Sequence, residues 1–302
     1  MVLISADDPF CKTISYDTEV IVTCTHIHGR DDLSNAQRDY SDGKSDTDAT
    51  HLFLYHSDIP SVSEIFAIFP NVGFLYLGSN SLNFLNGIAF KNATVLKELY
   101  LGSNNISLLH NGIFVGAQNL IFLNFNNNKL RTIDSDTFVP LRRLEHLDLS
   151  SNGLTYIHPQ AFQKLTSLSF LSLANNLLTD LHVSTFQQLI NLQYLLLNGN
   201  NLKLLDGKLL SSNSRLRVLD IGSCGIQAVG GNFFDNIKLL NHVKSERNDC
   251  IDEEFYDITN ISSVISAFQL CFDNYDDDLN NGIERSALYL QLIGKIETLG
   301  KF

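Results

Sequence analysis

Glu145, His146 and Asp148 stand within four residues of one another in the stretch LEHLDLSSNGLTYI, residues 144–157. A carboxylate next to an imidazole is the raw material of general acid–base chemistry. The leucines at 147 and 149, however, alternate as in a half-buried strand, which lays the three polar residues along one edge facing outward. They read as surface residues of one strand rather than as a dyad. A second candidate is DNYDDDLNNGIE, residues 273–284. A calcium loop begun at Asp276 would need Gly at its sixth place and Glu at its twelfth. The chain has Asn281 and Ala287 there, which excludes that loop and leaves a loose carboxylate group at Asp276–Asp278. The five cysteines show no C-x-x-C spacing, so no zinc site is expected. No G-x-S-x-G, H-E-x-x-H, P-loop or dinucleotide fingerprint occurs. The expectation is a non-enzymatic chain with no cofactor and no metal.

The elements that carry these residues recur. In rows of 24, Val72, Leu96, Leu120, Leu144, Leu168, Leu192, Leu216 and Leu240 stand in one column. Three places on come Leu75, Leu99, Leu123, Leu147, Leu171, Leu195, Leu219 and Val243. Two places further stand Leu77, Leu101, Phe125, Leu149, Leu173, Leu197 and Ile221. A polar column follows: Asn80, Asn104, Asn128, Asn152, Asn176, Asn200, Cys224 and Asn248. A later column reads Phe90, Phe114, Phe138, Phe162, Phe186, Leu210 and Phe234. An earlier row starts at 49. Each row supplies one short strand. One row cannot bury its leucines alone, so neighbours must stack in parallel into a curved solenoid. The asparagine amide offers donors and an acceptor where the chain leaves the strand.

These rows resemble extracellular leucine-rich repeat proteins, with spacing similar to Toll ectodomains and Slit-like proteins. Among them the chain looks most like small secreted insect members such as the mosquito leucine-rich immune proteins. The resemblance covers roughly residues 49–271 and implies an α/β leucine-rich repeat solenoid with a parallel sheet on its concave face. It implies a secreted recognition protein for a protein or microbial surface ligand, with a role in insect innate immunity. The alternative is the ectodomain of a cell-surface adhesion or signalling receptor whose anchor lies outside this chain.

Solenoid ends expose core and need caps. Cys11 and Cys24 bracket an alternating stretch that suggests a hairpin, and Cys250 and Cys271 bracket a second segment. Local pairing at each end is expected, because the crossed connectivities would tie ends that a solenoid holds apart. Cys224 stands in the asparagine column and is expected to be a buried free thiol. The organisation expected is an N-terminal cap (1–48), repeats (49–247; about eight rows and a partial ninth), a C-terminal cap (248–274) and an acidic linker with a helical tail (275–302). In that tail Tyr289, Leu292, Ile296 and Leu299 mark one side of a helix, either docked on the cap or pairing chains as an oligomer. Asn92, Asn105 and Asn260 are glycosylation acceptors by pattern. With the cysteine pairs they favour secretion. The opening MVLISADDPF has too few apolar residues before Asp7 for a signal peptide, so either a signal was removed from this numbering or the chain is not exported. No run is long and apolar enough for membrane insertion.

The side chains between the leucines face out along the strands. The column before the second leucine holds Phe74, Phe122, Phe170 and Tyr194, and the next outward column holds Phe53, Tyr76 and Tyr100. A contiguous apolar patch on an open sheet marks a contact surface. These seven rings are the expected ligand-binding residues; packing of the rings on one another is a compatible second reading. The more polar end, with Arg217, Asp220, Lys244 and Arg247, would orient the ligand. The net charge of −12 excludes nucleic acid as a partner on the usual argument from phosphate repulsion. The acidity belongs to the flanks, because residues 72–247 hold 14 Lys and Arg against 10 Asp and Glu.

Overall fold

The computed structural model describes residues 10–280, apart from 17, 29, 36–43, 58 and 60–61. The chain begins with an antiparallel hairpin of β1 (Phe10–Tyr16) and β2 (Glu19–Thr25), followed by α1 (Arg30–Asn35) and a single 3-10 turn at Asp46–Asp48. Then come β3 (His51–Tyr55), α2 (Val62–Ile68), β4 (Phe74–Tyr76), β5 (Glu98–Tyr100), β6 (Phe122–Asn124), β7 (Thr132–Ile133) and β8 (His146–Asp148). The remainder is β9 (Tyr156–Ile157), β10 (Phe170–Ser172), β11 (Tyr194–Leu196), β12 (Leu204–Leu205), β13 (Val218–Asp220), β14 (Ala228–Val229), β15 (His242–Lys244), β16 (Glu254–Phe255), α3 (Ile261–Ala267) and α4 (Gln269–Asn280).

Twelve of these strands form one sheet in the order β1-β2-β3-β4-β5-β6-β8-β10-β11-β13-β15-β16. From β2 to β15 every pairing is parallel, and the registers join column to column, as in Leu147 with Leu171 and Leu171 with Leu195. Only the two terminal pairings are antiparallel, so each end of the sheet is closed by a strand of its cap. Two flank pairs, β7-β9 and β12-β14, repeat the parallel stacking on the side where the chain leaves the main sheet.

The leucine columns are fully buried, and so are Phe90, Phe114, Phe138, Phe162 and Phe186. Those five rings stack along the axis at centroid separations of 5.5, 5.9, 6.1 and 6.5 Å. Strands repeat at about 4.8 Å. The phenylalanine side is therefore the outer radius and the sheet the inner, concave one. Between them the backbone runs through turns in the rows from β4 onward, whereas the first row crosses by the short helix α2; the other helices among the described residues lie towards the two ends of the chain.

The polar column satisfies the bend. Asn176 donates from Nδ2 to the carbonyls of Leu149 (3.0 Å) and Leu173 (2.9 Å) and accepts the Leu154 N–H at Oδ1 (3.0 Å). Asn104, Asn128, Asn152 and Asn200 repeat this pattern. Just before the column the backbone turns left-handed in every row, at Ser103, Asn127, Ser151, Asn175 and Ser223 and at Gly199 (φ 70). Cys224 is buried and free; its thiol lies 3.2 Å from the Leu197 carbonyl, and burial pushes its pKa up to about 11.

Both expected disulfides are present, Cys11–Cys24 and Cys250–Cys271. The second joins the loop after β15 to α4, whose Phe272, together with Phe268, packs on Phe234 and closes the last row. α4 runs through residue 280 and so crosses the division expected at 274, and it includes the backbone of 276–278. Tyr289, Leu292, Ile296 and Leu299 lie outside the described residues.

Candidate functional site

Each main strand turns its central leucine into the core and its two neighbours onto the concave face, because side chains alternate along a strand. The expected rings are brought together there. His51 meets Phe74 at 5.3 Å between ring centroids, and Phe53 meets Phe74 at 5.0 Å and Tyr76 at 6.0 Å. Tyr76 in turn meets Tyr100 at 6.0 Å, and its ring lies so close over Gly78 that a Cβ there would collide with it. The path continues Tyr100–Phe122 (4.7 Å), Phe122–His146 (4.2 Å), His146–Phe170 (4.0 Å) and Phe170–Tyr194 (6.2 Å). All seven ring residues expected from the sequence belong to one continuous path over seven adjacent strands.

Three further members were not among those seven. His51 and His146 stand in the same column as the phenylalanines, and Tyr55 packs on Tyr76 at 5.3 Å from the other end of β3. His146 is the informative case. It lies flat against Phe170, with ring planes 3° apart, and is half-buried rather than a free surface imidazole. Burial lowers its pKa, and the nearby Asp148 opposes that shift. Asp148 itself accepts the Ser150 N–H at 2.9 Å and lies 3.4 Å from Asn124 Nδ2, so its carboxylate serves the turn.

Glu98 would interrupt the path, since it stands in register between Phe74 and Phe122. Tyr100, two residues on, leans across instead: its ring lies 5.0 Å from Phe74 and 4.7 Å from Phe122. Its hydroxyl donates to Glu98 Oε2 at 3.0 Å. Burial first, and then this bond, pushes the phenol pKa up to about 12.

The path ends at Tyr194, 41% exposed, beyond which the column continues as Val218. From there the face is polar. His242 Nε2 and Glu254 Oε1 are 2.9 Å apart, Lys244 Nζ lies 3.9 Å from Glu254 and 3.7 Å from Glu246, and Tyr256 covers His242 at 4.4 Å. The Tyr256 hydroxyl, and then His242, hold the Glu254 carboxyl below its usual range. Asp220 moves the other way, because burial outweighs the Gly222 N–H that it accepts. Beside the opposite end of the ring path a groove of about 700 Å³ runs under His51, Phe74 and Glu98, with Lys97, Asn119 and Arg143 on its wall. Arg143 donates to Asn119 Oδ1 at 2.7 Å.

The family description "Leucine rich repeat" matches residues 70–130, 94–154, 123–178 and 171–226, together more than half of the chain. The chain belongs to the leucine-rich repeat family. No curated protein matches this leucine-rich repeat chain in sequence. Among solved structures it is similar to that of a TLR13–ssRNA13 complex, at 26% identity and TM-score 0.64, covering 74% of this chain and 35% of that one. It is similar to a chain of an octameric complex of Latrophilin 3, Unc5D and FLRT2, at 22% identity and TM-score 0.62, covering 68% and 64%. A third likeness is to the Drosophila Toll–Spatzle complex, at 19% identity and TM-score 0.54, covering 72% and 37%. The chain thus spans about a third of the TLR13 chain and under two thirds of the FLRT2-complex chain. The last two likenesses speak for the fold.

The first likeness corrects the exclusion of nucleic acid. A chain of this fold and detectable sequence likeness was solved with single-stranded RNA. The argument from net charge fails for a physical reason: it sums over the whole chain, whereas the rows from 72 to 247 carry more basic than acidic residues. Ligands meet local fields, screened beyond roughly 10 Å. Among the described residues no helix is long and apolar enough to cross a membrane.

Proposed function

We propose that this leucine-rich repeat chain is a recognition module that holds a protein segment against the ring path from His51 to Tyr194. The observation that carries the reading is the continuity of that path on an open concave face. Its rings are half-buried by one another, which stabilises the face before any ligand arrives and lowers the ordering cost of binding.

The orientation of the rings narrows the ligand. From Tyr100 to Phe170 they stack along the solenoid axis with planes 28°, 15° and 3° apart. Their faces are spent on each other, and their edges point into the groove. A base or sugar that stacks needs a free ring face. Ring edges are electropositive C–H, suited to peptide carbonyls and to apolar side chains packed between rows. The polar end around Asp220, Lys244 and Glu254 then sets the direction of the segment.

A second reading, nucleic acid, is favoured by the likeness to the TLR13–ssRNA13 complex. Lys97 and Arg143, beside the groove, would be the phosphate contacts. Titration with single-stranded RNA at two salt concentrations separates the readings, because phosphate contacts weaken steeply with salt and ring-edge contacts do not.

Secretion and a role in innate immunity belong to the proposal. They are supported by the two cap disulfides, which persist in oxidising compartments, and by the resemblance of the rows to insect immune members. Asn92, Asn105 and Asn260 are all exposed and available to a glycan on this reading. Mass analysis of the native protein tests it: hexose-bearing peptides at these sites agree with export, and unmodified peptides at all three oppose it. Retention of a partner by the intact chain, and its loss when rings are removed, tests the binding face itself.

A further inference from the structure

Charge is segregated on this solenoid. Three columns line the edge of the sheet where the chain enters each strand: the two places before the first leucine of a row and the one after it. In the rows headed by Val72 to Leu240 their basic members are Lys97, Arg142, Arg143, Arg215, Arg217 and Lys238, and their one acidic member is Glu145. All of these are exposed. Among the described residues none of the six cations is in an ion pair. The opposite edge, where the chain leaves the strand, mixes Lys129, Arg131 and Lys203 with Asp180 and Asp249. The excess of basic over acidic residues in the repeats is therefore gathered on one edge. A local field of this kind acts on a ligand although the whole chain is acidic.

Two of the arginines are held in place. Arg143 Nη1 donates to Asn119 Oδ1 and Arg215 Nη1 to Asn191 Oδ1, both at 2.7 Å. Asn119 and Asn191 donate in turn to the carbonyls of Thr94 and Thr166, also at 2.7 Å. The same relay through three successive rows thus fixes both guanidinium groups. It takes up one N–H of each fork and leaves the others to a ligand. A fork already fixed loses little freedom on binding. Arg143 and Arg215 stand three rows apart, roughly 14 Å at the strand repeat. Lys97 and Arg217 stand five rows apart, roughly 24 Å. One small anion cannot reach across these distances; a polymer with negative groups along its length can.

We infer that this edge binds a sulfated polysaccharide, with the guanidinium groups of Arg143 and Arg215 as its fixed contacts and the other four cations around them. Planar forks match the oxygens of sulfate and carboxylate groups. The neutral members of the same columns choose among polymers. Thr94, Gln118, Thr166 and Ser214 are exposed there and offer hydroxyls and amides to sugar hydroxyls. No aromatic ring stands in these columns, so the bases of a nucleic acid find no stacking platform on this edge. The site lies beside the concave face rather than on it, and it is independent of what the ring path holds.

The test titrates the full chain with a heparin oligosaccharide, with the same oligosaccharide desulfated, and with oligouridylate of matched charge, each at two salt concentrations. The sulfated sugar should bind and weaken steeply with salt; the desulfated sugar and the oligouridylate should bind less. Arg143→Gln, Arg215→Gln and Arg217→Gln together should lower affinity for the sulfated sugar by about ten-fold or more, with the melting midpoint unchanged. Lys129→Gln, Arg131→Gln and Lys203→Gln remove as much charge from the opposite edge and should lower it by less than about two-fold. Glu145→Gln removes the one opposing charge and should tighten binding. Equal losses from the two triple variants would show attraction to charge without a site and overturn the inference. Tighter binding of oligouridylate would give the edge to RNA and also overturn it, as would no binding of the sulfated sugar at physiological salt. Tyr76→Ala/Tyr194→Ala should bind the sugar like the wild type, which separates this edge from the fate of the ring path.

Discussion

The Tyr100 hydroxyl donates to Glu98 Oε2 at 3.0 Å, and this bond holds the ring that carries the concave path across β5. Without it, a carboxylate would stand between Phe74 and Phe122 in a row otherwise made of rings. The bond also leaves a titration signature. An unperturbed tyrosine ionises near pH 10, whereas Tyr100, raised by burial and by Glu98, does so at about 12. Between those values the folded chain keeps a proton that the unfolded chain has lost. The contribution is fully present below about pH 10 and falls away as pH rises towards about 12. Denaturant unfolding across this range should show the loss in the wild type and a flatter curve for Tyr100→Phe. Parallel curves would show that the Tyr100 phenol is not raised in the folded chain.

His146 gives the opposite window. Burial between Phe122 and Phe170 lowers its pKa below the usual histidine value. On acidification the unfolded chain takes up a proton before the folded chain does. The stabilisation is present above the unfolded histidine value, about pH 6.5, and is lost as pH falls through the folded one. His146→Phe keeps the stack and removes the charge, so it should reduce the acid-side fall in melting temperature. NMR of the His146 ring should show a midpoint below that of a model peptide. An unshifted midpoint would place the ring in water.

Asn176 is buried and bonds to the backbone of two rows. Asn176→Ala should cost about 2–4 kcal/mol by equilibrium unfolding, because it strands a buried N–H and two carbonyls. At the equivalent place Cys224 offers a weak S–H donor and no carbonyl. Cys224→Asn should therefore be tolerated and should raise the melting midpoint; a clear fall would contradict the ladder account.

The periodic part of this molecule was legible because each column has one physical job. Val72 through Leu240, the asparagines and the phenylalanines are all where the 24-residue rows put them, and the cap disulfides follow from the ends of a stack. The ring path was legible in its phenylalanines and tyrosines. His146 was not, because its neighbours Glu145 and Asp148 made the stretch look like outward-facing polar chemistry. Its environment is set by Phe122 and Phe170, 24 residues away on either side, and only the stacking of rows brings them into contact. The bridging role of Tyr100 was hidden for the same reason: a column reading assigns it to one lane, while its ring crosses into another. The failure on nucleic acid came from a sum over the chain where the surface acts locally.

The two ends of the path separate stability from recognition. Tyr194 touches Phe170 at 6.2 Å and is 41% exposed, whereas Phe122 is held between Tyr100 and His146. Tyr194→Ala should shift the melting midpoint by less than about 2 °C and Phe122→Ala by roughly 5 °C or more, on the scale of about 1 kcal/mol and of a lost aromatic stack respectively. Equal shifts would mean that the end ring is packed as tightly as the middle of the stack.

The central claim is that the ring path touches a partner. The most direct measurement is capture from extracellular fluid on the immobilised full chain, with Tyr76→Ala/Tyr194→Ala alongside and the retained species quantified by mass spectrometry. The account predicts at least one protein held by the wild type and reduced about ten-fold or more on the variant, as expected for loss of interface anchors. Identical retention on both forms would contradict it.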